Sequence, residues 1–175
     1  MRRPVDADRI HAFMVALAAS VTGVHTVYLV GGATAVLEGW RSSTIDIDIA
    51  LPPGADADDL LRALPAIKDE LELNVELASP ADFVPVPAGW AERARSVGRE
   101  GDVTFLHYDP YAQALAKLER GHDRDLEDVG ELLRRGLVDR ERLAACFDEI
   151  EPELYRFPAI DPASFRRRVE NAVGG

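Results

Sequence analysis

The spacing of apolar residues changes period several times along this chain, and each change marks an element. Over residues 6–22, Ile10, Phe13, Met14, Leu17, Ala18 and Val21 recur at helical intervals and the run closes near Gly23. That pattern predicts an amphipathic helix lying on a sheet. Val27 to Val30 reads as a short apolar strand that breaks at Gly31-Gly32, and Thr34 to Trp40 as a short apolar helix. Thr44-Ile45-Asp46-Ile47-Asp48-Ile49 then alternates. Side chains alternate across a strand, so Ile45, Ile47 and Ile49 are expected on one buried face, with Asp46 and Asp48 projecting together from the other.

Leu51-Pro52-Pro53-Gly54 closes this strand, and ADADDLLRALPAI reads as a helix with an acidic first turn, interrupted near Pro65. Its macrodipole favours the acids Asp56, Asp58 and Asp59 at that start. Glu72 to Leu77 alternates again and predicts a strand, with Leu73, Val75 and Leu77 inward and Glu72, Asn74 and Glu76 opposite. Residues 79–100 are rich in Pro and Ala and predict an irregular crossing with a short helix around Trp90 to Arg95. Phe83, Val84 and Trp90 are expected to fold back onto the core, leaving Arg93 and Arg95 able to face an anion. Val103 to Tyr108 is a further strand, pairing with 95–99 as a hairpin.

From Asp109-Pro110, an N-cap and N1 pair, the pattern is helical to the end. Tyr111, Leu115 and Leu118 form an apolar stripe with Lys117 off it, and Gly121 ends the helix. Helices over 124–135, from Asp139 to about Tyr155, and from Pro162 to about Val173 follow. Arg166-Arg167-Arg168 reads as a solvated basic face. The expected fold is α/β (α+β): a small mixed sheet of four or five strands with packed helices and a C-terminal helical bundle. Residues 1–175 are expected to form a single domain, with a sheet-containing core over 1–108 and a helical part over 109–175.

The 175 residues, 47% hydrophobic and 29% charged, describe an ordinary globular chain. No apolar run reaches the length of a membrane span, and the two N-terminal arginines lead into no apolar signal segment. A cytoplasmic protein with no membrane contact is expected. The lone Cys146 excludes an internal disulfide, fits a reducing compartment and sits in a helical pattern as a buried thiol. The four histidines show no zinc spacing. A net charge of −11 gives no support to a broad grip on a phosphate backbone, while small substrates brought in with a metal ion remain compatible with it.

Candidate chemistry concentrates between residues 31 and 48. Two carboxylates held side by side repel each other unless a cation lies between them. Hard oxygen ligands suit Mg²⁺ (or Mn²⁺), which takes one or two carboxylates and completes its shell with water and substrate phosphates. Gly31-Gly32 ahead of a helix offers close backbone approach and N–H groups for those phosphates. Residues 31–36, Gly-Gly-Ala-Thr-Ala-Val, lack the spacing of a dinucleotide-binding glycine fingerprint.

Gly-Gly, thirteen intervening residues and Asp-x-Asp flanked by aliphatics resembles the signature of the polymerase-β-like nucleotidyltransferase superfamily. Arg41-Ser42-Ser43-Thr44 before Ile45-Asp46-Ile47-Asp48, and Lys117-Leu118 followed by Arg124-Asp125-x-x-Asp128, are similar to the bacterial AbiEii/MenT toxin nucleotidyltransferases. The resemblance implies an enzyme that transfers NMP from an NTP to an acceptor hydroxyl and releases pyrophosphate. It implies catalytic roles for Asp46, Asp48, Glu76 and Lys117, with Mg²⁺ (or Mn²⁺) on Asp46, Asp48 and a third carboxylate from a neighbouring strand, Glu76 or Glu72. It also implies nucleotide contacts from Gly31, Gly32, Ser42, Thr44 and Lys117. Arg41 is a phosphate contact or a loop anchor, and Asp128, or Asp125 beside it, completes the site or holds Lys117 and Arg124. The nucleotide is expected between sheet and bundle. The implied acceptor is a tRNA 3′ end, another RNA or a protein, and the implied partner a cognate antitoxin. The alternative is a catalytically silent nucleotide- or partner-binding module of a toxin–antitoxin system. Oligomeric state is not set by the sequence.

Overall fold

A computed structural model describes residues 3–175; Arg2 of the N-terminal pair lies outside the described residues. The chain divides into two compact units, one holding the residues up to Ser79 together with Arg95–Tyr108, the other Pro80–Ala94 and Asp109–Gly175. The architecture is mixed α/β, as expected, with a five-stranded sheet and seven α-helices among the described residues.

The first unit runs α1 (Ala7–Ser20), β1 (His25–Val30), α2 (Gly32–Leu37), β2 (Ile47–Ala50), α3 (Asp58–Glu70), β3 (Val75–Leu77), β4 (Arg95–Glu100) and β5 (Val103–His107). The sheet order is β3-β2-β1-β5-β4. β1 pairs antiparallel with β2 and parallel with β5, β2 pairs parallel with β3, and β4–β5 is the expected hairpin. Asp6 caps α1 by accepting from the Arg9 N–H at 3.0 Å. Ile10, Phe13 and Leu17 of α1 and Leu60, Leu64 and Ile67 of α3 share one core with Val27, Leu29, Ile47, Ile49, Val75, Val103 and Phe105. Alternate positions, Tyr28, Val30, Asp48 and Glu76 among them, therefore take the opposite face of the sheet.

Three expectations change in this unit. Ile45 does not share the buried face of Ile47 and Ile49; it is 73% exposed. Thr44 is diverted into a bridge with Val5, regular pairing begins only at Ile47, and the alternation is not carried across the intervening bend. Leu77 is 54% exposed; it ends β3, a three-residue strand at the edge of the sheet. Pro65 lies inside α3 without ending it. It is exposed, so water can satisfy the carbonyl four residues earlier that loses its helical donor.

The second unit holds α4 (Pro110–Arg120), α5 (Asp123–Arg134), α6 (Arg140–Ile150) and α7 (Pro162–Gly174), with 3₁₀ turns at Pro80–Asp82 and Glu151–Arg156. α4 packs against the other three helices. Asp109 caps it by accepting from the N–H groups of Tyr111 and Ala112, and Gly121 ends it in the left-handed region at φ 68°. Phe147 and Phe165 meet edge-to-face at 4.9 Å, and Cys146 is buried, with burial pushing its thiol up. Residues 88–93 form turns rather than the short helix expected around Trp90. Too few residues precede the strand at Arg95 to nucleate one, and the Arg93 side chain donates to the Ala88 carbonyl at 2.7 Å.

The arginines expected to await an anion are already engaged, each within its own unit. Arg93 donates both Nε and Nη2 to the fully buried carboxylate of Asp109, at 3.1 and 2.7 Å. Arg95 pairs with Glu38 at 2.8 Å. The basic run near the C-terminus is also in use: Arg166 pairs with Glu151, and Arg168 donates to the carbonyls of Leu118 and Glu119.

Candidate metal centre

β2 leaves the Gly-Gly turn's neighbourhood with Asp48 opposite Val30 on β1 and opposite Glu76 on β3. Register partners project from the same face of a sheet, so Asp48 and Glu76 stand side by side. Asp46, just before the strand, turns its carboxylate to the same place: one oxygen from each of Asp46, Asp48 and Glu76 lies within 4.8 Å of the others. Glu72 is not in this group. It occupies a turn before β3 with φ 52°, where its carbonyl accepts from Arg9.

Electrostatics in this cluster favour a cation. Burial, and then the carboxylate of Glu76, raise the Asp46 carboxyl above its ordinary value. Oδ1 of Asp46 is buried and accepts no hydrogen bond among the described residues. A buried carboxylate oxygen without a donor is costly, and a hard divalent cation would meet its need. The donor set, three carboxylates and no sulfur or imidazole, fits Mg²⁺ or Mn²⁺ and does not fit zinc. Asn74 contributes a positioning contact that the alternation alone did not single out: its Nδ2 donates to Glu76 Oε1 at 2.8 Å. Its signal was placement two residues before Glu76 on the same strand face.

The glycines border this cluster. Gly31 has φ 60° and ψ −119°, a conformation open to glycine, and a Cβ built on it would lie 3.2 Å from Oδ2 of Asp48. A Cβ on Gly32 would lie 2.1 Å from Oγ1 of Thr44. The Gly-Gly turn thus runs directly beside Asp48 and Thr44. Thr44 exchanges both backbone hydrogen bonds with Val5 at 2.8 Å. Ser42 is exposed and Arg41 half-buried in the loop after α2; the Arg41 N–H donates to the Ala35 carbonyl at 3.2 Å.

Lys117 and Asp128 are brought together in the helical unit. Lys117, off the apolar stripe, is nevertheless only 5% exposed, because α4 is buried at every position from Pro110 to Leu118. Its Nζ lies 2.6 Å from Asp128 Oδ2 and 3.5 Å from Asp125 Oδ1. Arg120 also pairs with Asp125, at 2.7 Å. Burial works to raise the Asp125 carboxyl, but Arg120 and Lys117 outweigh it and hold the group below its ordinary range.

A family model described as nucleotidyltransferase of unknown function (DUF6036) matches residues 9–160. Neither a curated protein nor a solved structure matches the chain. Among the described residues no helix is long and apolar enough to cross a membrane.

Proposed function

The chain belongs to this family of nucleotidyltransferases of unknown function, and from that membership we propose that it is a metal-dependent enzyme moving NMP from an NTP to an acceptor hydroxyl, with release of pyrophosphate. One observation carries the proposal: three carboxylates converge beside the Gly-Gly turn, one of them with a buried oxygen that accepts no hydrogen bond. Asp46, Asp48 and Glu76 would hold Mg²⁺ (or Mn²⁺). Such an ion, when bound, lowers the pKa of an attacking hydroxyl and neutralises charge on the departing pyrophosphate.

The remaining work falls to the chain's own groups. Gly31 and Gly32 let backbone N–H groups approach phosphate oxygens where a side chain would crowd Asp48 at the first and clash with Thr44 at the second. The hydroxyls of Thr44 and Ser42 serve as further donors, and Arg41 either contacts phosphate or anchors the loop. Asn74 fixes the Glu76 carboxylate, so that less freedom is lost when it takes up a ligand. Lys117 and Asp128 enter this reading through the resemblance to the AbiEii/MenT enzymes, and their own geometry supports a holding role for Asp128 toward the lysine ammonium. The same resemblance makes a tRNA 3′ end the first acceptor to try and a cognate antitoxin the first protein partner.

The test is to incubate the protein with Mg²⁺, each α-labelled NTP and total cellular RNA or protein. Label is expected to move to one acceptor class from one preferred NTP, and the transfer to vanish in Asp46→Ala/Asp48→Ala. Transfer at wild-type level in that double variant would sink the proposal. Metal-dependent NTP binding with no acceptor labelled would favour a silent binding module instead.

A further inference from the structure

The helical unit contains a cavity of about 470 Å³ lined by residues of α4, α5, α6 and α7. It includes none of the groups assigned to nucleotidyl transfer. Its walls are aliphatic: Leu118 from α4, and Leu126, Val129 and Leu133 from α5. Gly130 opens onto it from the middle of α5. A glycine inside a helix is disfavoured relative to alanine, and a close neighbour that leaves no room for a side chain would explain it. Here a Cβ at Gly130 would meet nothing within 4 Å. No packing reason for the glycine exists on that side, and what its missing side chain leaves is room.

The rim is cationic in an unusual way. Arg140 of α6 donates to the Ala172 carbonyl at 2.6 Å, and Arg168 of α7 donates to the carbonyls of Leu118 and Glu119. These partners are dipoles without net charge. Among the described residues no carboxylate lies within 4.0 Å of either guanidinium, in a chain whose net charge is −11. The third arginine of the lining, Arg134, does find an acid, Glu131, and away from the cavity Arg166 meets Glu151. Two guanidiniums beside an aliphatic cavity, both without a counter-charge, complement one kind of ligand. The lining contains no aromatic ring, which disfavours a nucleobase, since bases are held by stacking.

We propose that this cavity binds an aliphatic monoanion, a medium-chain carboxylate. Its hydrocarbon would lie against Leu118, Leu126, Val129 and Leu133 and its head group at Arg140 and Arg168. The site is independent of nucleotidyl transfer and would stand if that reading failed.

The test uses the full chain titrated with sodium decanoate below its micellar concentration, followed by calorimetry, with decanol as the neutral counterpart. Saturable one-to-one binding of decanoate is expected, with decanol weaker by about tenfold or more for want of a charge-assisted contact. Gly130→Leu directs a side chain into the space, its Cβ meeting nothing within 4 Å, and improves the helix, so it should melt no lower than wild type while binding is lost. Arg140→Gln changes an exposed residue and tests the head-group contact separately; it should bring decanoate down to the affinity of decanol. The proposal is overturned if wild type gives no saturable heat, if a folded Gly130→Leu binds as before, or if decanol binds as tightly as decanoate.

Discussion

Asp48 and Glu76 are Cα partners across the parallel ladder of β2 and β3, although the whole of α3 separates them in the chain. With Asp46 they concentrate negative charge that the protein's own groups leave partly uncompensated.

The first prediction separates stability from metal binding. Asp48→Asn and Glu76→Gln each remove a repelling charge, so in EDTA both variants should melt at or slightly above wild type, by up to about 1 kcal/mol. Wild type should gain about 2.7 kcal/mol when Mg²⁺ reaches roughly a hundred times its Kd, and the variants should lose that gain. Thermal melts with EDTA and with Mg²⁺ read both effects. An unaltered Mg²⁺ response in Asp48→Asn would remove this carboxylate from the metal site.

A second prediction concerns Gly32, whose added Cβ would meet Oγ1 of Thr44 at 2.1 Å and its Cβ at 2.8 Å. Gly32→Ala should therefore cost about 1–3 kcal/mol through forced backbone movement. Thr44→Ala removes the nearer obstruction, so the double variant should be more stable than the sum of the two single changes predicts, with a coupling of about 0.5 kcal/mol or more. Urea titrations of all four proteins measure this. Simple additivity would mean that the turn and Thr44 do not touch in solution.

Much of this arrangement was legible in the residue pattern, and the parts that were not share a cause. Alternation through Ile47, Asp48 and Ile49 placed Asp48 on the polar side, and the Gly31-Gly32 break located the turn. The pairing of Asp48 with Glu76 depends on which strands become neighbours, a tertiary choice that no local period records. Ile45 was misplaced because the Thr44–Val5 bridge intervenes, and Val5 lies far away in sequence. The burial of Lys117, off the apolar stripe of its own helix, depends on two aspartates from the next helix. Arg93 and Arg95 looked available because their acids, Asp109 and Glu38, are remote in the chain.

A third prediction concerns pH. His107 is 6% exposed, with Nδ1 3.1 Å from Thr34 Oγ1 and Nε2 3.3 Å from Glu38 Oε1. Burial, opposed by Glu38 and assisted by Arg95, lowers its pKa from 6.5 to about 4. Between those values the unfolded chain holds a proton that the folded one does not. Acidification across that window therefore favours unfolding, by about 1.4 kcal/mol per pH unit for this one group, and the effect levels off below about 4. His107→Gln should flatten this part of the profile. Equal slopes in variant and wild type, from urea midpoints at several pH values, would assign the acid sensitivity to other groups.

The last prediction asks whether Lys117 serves more than the fold. Lys117→Met strips the ammonium from Asp128, which is 1% exposed, and should cost about 3–5 kcal/mol, the scale for removing one partner of a buried ion pair. Arg120 still compensates Asp125, so the loss should centre on Asp128. Lys117→Met/Asp128→Leu replaces the pair with apolar groups of similar size and should recover most of that stability. With folding restored, nucleotidyl transfer becomes informative. If Lys117 meets the phosphates, the stable double variant should remain about 10²–10³-fold slower than wild type, the scale for losing one group that stabilises developing charge. If transfer returns along with stability, the lysine and its aspartates are there to hold α4 against α5, and the phosphate role must pass to other residues.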